Sequence, residues 1–184
     1  MPDSKEKLSY VTLVLHWLIA SIIIILLVVE MDYPILHKSL GLLIIIPVII
    51  RIYWRSKNGY LPKANFINKN DSYKSIKFEL LLAKISHWFL IIGSLSLPLS
   101  GVLISIYGGY GLSLFGLELL VPNQDSTGSL IIPLNQDISI LAQDIHNIIS
   151  NMLIIILALH IAGALKHHFI YKDKTLYRML GIKK

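Results

Sequence analysis

The stretch HNIISNMLIIILALHIAGALKHHF, residues 146–169, sets two histidines fourteen residues apart in an otherwise apolar run. Fourteen residues is nearly four helical turns, so His146 and His160 share one helix face about 21 Å apart along the axis. His167 extends the same stripe seven residues further. The run is also long enough to cross the hydrocarbon layer, which takes roughly 20 apolar residues. Ionisable side chains are costly in a bilayer, so a histidine within such a span points to function.

Outward from this run, three more segments qualify as spans: Ser9 to Val29, His37 to Trp54, and Leu80 to Tyr107. With His146 to Phe169 they predict an all-α fold, an integral membrane four-helix bundle forming one domain over residues 1–184. Pro47 should kink the short second span, where neighbouring helices can satisfy the freed carbonyl. The composition agrees: 54% of residues are hydrophobic and 15% charged, too apolar for an ordinary soluble domain. The start, Met1 to Lys7, is short and mixed in charge, and no small-residue cleavage site follows the first run, so the first helix is expected to stay as an anchor.

The net charge of +6 reads as orientation and not as a nucleic-acid partner, because Lys and Arg resist translocation. Arg51, Arg55, Lys57, Lys63, Lys69, Lys74, Lys77 and Lys84 cluster around the second connection, and Lys166, Lys172, Lys174, Arg178, Lys183 and Lys184 close the chain. Gly108 to Ile145 holds Glu118, Asp125, Asp137 and Asp144 but no Lys or Arg. Both termini are therefore expected in the cytoplasm, with the connections Glu30 to Leu36 and Gly108 to Ile145 outside. The second of these is partly apolar and is expected to cap the bundle.

No residue is cysteine, which excludes disulfides, iron–sulfur clusters and thiolate-bound or covalently attached haem. A redox metal must then rest mainly on histidine or carboxylate. Helix direction pairs the histidines by depth: His16 with His160 towards the inside, His37 with His146 at the outer surface. Two facing imidazoles can clamp a haem iron between helices, and Gly41, Gly163 and Ala164, each one turn from a ligand candidate, leave room for a flat macrocycle. A single zinc is a poor match, because four ligands at two levels make no tetrahedral site. The plainer reading of each membrane histidine is a structural hydrogen-bonder.

These residues resemble the bacterial cytochrome b561 family. The resemblance rests on Leu15-His16-Trp17, His37-Lys38-Ser39-Leu40-Gly41, Val48-Ile49-Ile50-Arg51 and Ile85-Ser86-His87. It continues through Leu114-Phe115-Gly116-Leu117, Val121-Pro122, Leu159-His160, His167-His168-Phe169 and the tail Lys172 to Met179. It implies a bundle with two b-type haems, the ligands falling on His16, His37, His146 and His160. It implies a multi-pass protein of the bacterial inner membrane that passes electrons between a periplasmic donor, superoxide in one member, and ubiquinone.

A quinone site near the inner haem would draw on His167, with His168, Trp54 and Lys166 as further candidates. All but Trp54 read equally as interfacial polar residues. Arg51 is a candidate partner for a haem propionate or a snorkelling topology marker. His87, at about the depth of His16, can compete as an inner ligand and is expected to sit behind the ligands or line the quinone pocket. One feature departs from the superoxide expectation, since an anion is drawn by positive charge and Lys38 is the lone basic residue on the outer side. Two other readings stay open: a cytochrome b subunit of a larger dehydrogenase or hydrogenase complex, and a haem-free membrane protein using the histidines as a proton path.

Overall fold

The computed structural model describes residues 8–29, 32–58, 73–172 and 174–182, with the backbone alone at 73–78 and 80. Met1 to Lys7, Glu30, Lys63, Lys69, Asp173, Lys183 and Lys184 lie outside the described residues, as do the side chains of Lys74 and Lys77. The elements are α1 (Tyr10–Val29), α2 (Pro34–Leu43), α3 (Ile45–Asn58), α4 (Tyr73–Tyr107), β1 (Leu112–Leu114), β2 (Leu117–Leu120), α5 (Gln136–Phe169) and α6 (Thr175–Met179).

Among the described residues, four helical stretches are long and apolar enough to cross a membrane: Tyr10–Val29, Pro34–Asn58, Leu81–Tyr107 and Gln136–Phe169. Their outward faces carry large bare side chains, Val28 at 74% exposure and Leu159 at 62% among them. So much contiguous apolar surface is untenable in water and ordinary against lipid. The protein is a multi-pass membrane protein.

α2 and α3 form one bent crossing. Pro47, third in α3, has no N–H to give the Leu43 carbonyl, and the helix breaks at Ile44, whose own N–H bonds Leu40 O at 2.9 Å. Ile44 and Val48 then pack with Ile19 of α1, flanked by Ile22, Ile23, Leu26 and Leu95, so the bend lies in a buried apolar cluster. At the end bearing Ser9, the Trp54 indole donates to Thr12 Oγ1 (3.2 Å) and the Trp17 indole to Met179 O (2.8 Å), which folds α6 back against α1.

α5 starts ten residues before the expected opening of the span at His146. Asn135 caps it, its side chain accepting from the Ile138 N–H at 3.1 Å. Ile138, Leu141, Ala142 and Ile145 continue the helical apolar spacing, and Ala142 is buried. The interleaved Gln136, Asp137, Gln143 and Asp144 disguise this turn-by-turn pattern as loop. The connection from α4 shortens accordingly to 108–135.

That connection is not all coil. β1 and β2 pair antiparallel around a two-residue turn, Phe115 (φ 49°) and Gly116 (φ 89°), where positive φ at both positions matches the twist of a hairpin. Fully buried Ser39 holds the turn to α2. Its hydroxyl donates to Ile35 O (2.6 Å) and accepts the Phe115 N–H (2.8 Å). Lys38 meanwhile lies over the Tyr110 ring at 5.5 Å. The hairpin is thus fastened beside His37, over the end of the bundle away from Ser9.

Candidate functional site

α5 packs along α4 and meets α6, but it makes at most sparse backbone contact with α1, α2 and α3. These are the helices that carry His16 and His37, while α5 carries His146 and His160. The helices that carry the candidate partners thus pack only sparsely on one another.

At the hairpin end the His37 and His146 ring centroids are 6.3 Å apart, with planes inclined at 58°. An iron between two imidazoles needs about 6 to 6.5 Å, from two metal–nitrogen bonds of about 2 Å plus the ring radii. The spacing matches. His37 Nδ1 is buried and has no hydrogen-bond partner. His146 Nδ1 sits 2.9 Å from Ser100 Oγ. A Cβ added at Gly41 would meet nothing within 4 Å, so a flat ring has room one turn from His37.

At the other end, His16, His87, His160 and Arg51 lie within electrostatic reach of one another. An Arg51 guanidinium nitrogen is 3.1 Å from His16 Nδ1. Guanidinium only donates, so Nδ1 accepts and the neutral ring carries its proton on Nε2. Iron binding through Nε2 would require that proton to leave or the Arg51 contact to break. The remaining N–H groups of Arg51 suit a propionate. His87 and His160 stand edge to face at 5.1 Å, too close for an iron between them, and His87 Nδ1 is hydrogen-bonded to the Ala83 carbonyl. His87 thus packs against a ligand candidate instead of opposing it. A Cβ at Gly163 would meet nothing within 4 Å.

The residues expected at a quinone pocket fall into three groups. Trp54 is tied to Thr12. Lys166 pairs with Glu79 (2.8 Å), which also accepts from the Tyr171 hydroxyl at 3.0 Å, and the His167 ring lies 5.2 Å from that of Tyr171. His168 lies instead against Tyr177 (5.0 Å) and Phe169. His167 and Lys166 therefore share a site with Glu79 and Tyr171, which sequence reasoning missed because α4 brings Glu79 in from 87 residues away. Among the described residues no three His, Asp or Glu converge to hold a metal ion.

The hydrogen bond from Lys166, reinforced by Tyr171, holds the Glu79 carboxyl below the ordinary carboxylate range. A carboxyl lowered in the folded state stabilises above its unfolded value, and that contribution vanishes as pH falls through the lowered one. The melting temperature in detergent is therefore expected to fall below about pH 4.3, and Glu79→Gln to remove that part of the acid response. With the Lys166 side chain 43% exposed, screening keeps the effect below about 1 kcal/mol. An identical acid profile in the variant would exclude the pair as its source.

A family model described as prokaryotic cytochrome b561 matches residues 7–181. Among similar proteins, "Cytochrome b561 homolog 2" of Escherichia coli (strain K12) is 28% identical over 97% of this chain and 94% of its own length. "Cytochrome b561 homolog 1" of the same organism is 32% identical over 58% of this chain and 56% of its own length. "Probable superoxide oxidase CybB" of Yersinia pestis is 30% identical over 56% of this chain and 53% of its own length.

Proposed function

Because the chain belongs to the prokaryotic cytochrome b561 family, a membrane b-type cytochrome that transfers electrons, we propose that it holds two haems and carries electrons across the bacterial inner membrane between a periplasmic donor and ubiquinone. The observation that carries this reading is the 6.3 Å between the His37 and His146 rings, set on helices that stay apart. His37 and His146 would ligate the outer haem, and His16 and His160 the inner one, with Arg51 turning from His16 towards a propionate. Held in this way, haem would supply a one-electron iron couple suited to outer-sphere electron transfer.

The protein's own part is to fix distance, burial and protons. Ser39 pins the hairpin beside the outer pair and so limits access to it. At the other end, the cluster of His167, Tyr171, Lys166 and Glu79 offers hydrogen-bonding groups of both signs for a quinone. With both termini in the cytoplasm, by the distribution of Lys and Arg, this end faces the cell interior.

The resemblance to a protein named as a probable superoxide oxidase favours superoxide as donor. The outer charge favours a second reading, a protein donor or a place in a larger complex. Asp125 accepts from the Thr127 hydroxyl and from the Leu130 and Ser129 N–H groups, which keeps its carboxyl below the usual range and the loop negative. An anionic donor is repelled by Glu118, Asp125, Asp137 and Asp144, so its rate is expected to rise with ionic strength as the repulsion is screened. The test uses purified, haem-loaded protein exposed to superoxide and, separately, to ubiquinol, followed by the b-type α band. Reduction by both supports the superoxide reading, reduction by quinol alone assigns the donor role to a protein, and no α band rejects both.

A further inference from the structure

Ser100 stands on α4, facing the α5 histidine across 46 residues of sequence. Its hydroxyl has one proton. That proton goes to the Leu97 carbonyl at 2.8 Å, so the oxygen can only offer a lone pair to His146 Nδ1 at 2.9 Å. The Leu97 carbonyl, itself only an acceptor, also faces the ring. Ser100 Oγ therefore demands a donor from Nδ1, and the ring is held as the Nδ1–H tautomer with its Nε2 lone pair free.

We propose that Ser100 is a positioning residue for the outer haem, fixing His146 in its metal-ligating tautomer and setting that haem's reduction potential. The inference rests on the proposed ligation by His37 and His146. The physical reason is general: a ligating histidine that gives its second N–H to an acceptor becomes a more basic ligand with a fixed ring orientation. A more basic imidazole stabilises the ferric state and lowers the potential. The inner candidate differs, because the group on His16 Nδ1 is a cationic donor, Arg51. The Ser100 site is built, not incidental: Ser100 is 5% exposed, and a Cβ at Gly101 would lie 3.8 Å from His146 Cε1, so the ring edge rests against α4.

The test is a redox titration of haem-loaded Ser100→Ala and Ser100→Thr in detergent, resolving the two haems by their α bands, with haem content measured alongside. Ser100→Ala is expected to keep both haems and raise the outer potential by about a tenfold change in the oxidised-to-reduced ratio, about 59 mV for one electron. The inner potential should stay put, and Ser100→Thr should restore the outer one. Loss of the outer haem in Ser100→Ala, recovered in Ser100→Thr, supports the same role. An unchanged outer potential with both haems present overturns it, as does a defect that threonine does not repair. Full haem content in His146→Ala would instead overturn the underlying ligand assignment, so the two failures are told apart.

Discussion

Replacing His37 or His146 by alanine is expected to halve the haem content, from two per chain to about one, while the protein still inserts and folds. The expectation follows from their spacing: at 6.3 Å between rings the two imidazoles would hold one haem iron together, and removal of either would leave it a single protein ligand. His16→Ala and His160→Ala should remove the other haem and leave the first. His87→Ala and His168→Ala are the controls. His87 stands 5.1 Å from His160, too near to share an iron with it, and His168 packs against Tyr177 away from the ligand candidates. Both variants should therefore keep two haems. Pyridine haemochrome quantification with reduced-minus-oxidised spectra reads all six proteins. Full haem in the His37 and His146 variants, or loss in the controls, would reject the pairing.

The second large effect belongs to a residue that touches no ligand candidate. Gly109 has φ +79°, and an added Cβ would run into the Ile132 carbonyl. Its own carbonyl accepts from the Asn123 N–H at 2.8 Å, and Asn123 in turn exchanges bonds with Ile132 through main chain and side chain. Gly109→Ala thus combines a left-handed backbone cost of about 1–2 kcal/mol with displacement of a three-segment junction. A local destabilisation of roughly 2–4 kcal/mol is expected. Amide exchange at Asn123 and Ile132 should accelerate on the order of a hundredfold, with the α4–α5 contact intact. Gly41→Ala, where an added methyl meets nothing within 4 Å, should leave those amides unchanged. Equal exchange in wild type and Gly109→Ala would show that the junction does not hold the 108–135 connection.

Together these variants separate what binds the cofactor from what covers it. The Ser39 hydroxyl joins the two, two residues from His37 and bonded to the Phe115 N–H at the hairpin tip. Opening the hairpin is therefore felt first on the His37 side.

The sequence by itself determined the crossings and the candidate pairs. Long apolar runs leave a backbone in lipid no option but helix, and a 14-residue interval on one helix, set against single histidines on two others, restricts which imidazoles can meet. Pro47 announced the bend for the same local reason, a missing N–H. Polar residues within Gln136–Ile145 hid the first turns of α5, since periodicity reads apolar spacing and five polar side chains blur it. Only the tertiary structure decided the polar partners: Ser100 on His146, Arg51 on His16, His87 beside His160, and Glu79 with Lys166. Each joins different helices, so it depends on their relative rotation and height to within a hydrogen bond's length. That register comes from packing summed over the whole bundle, which no local stretch of sequence encodes.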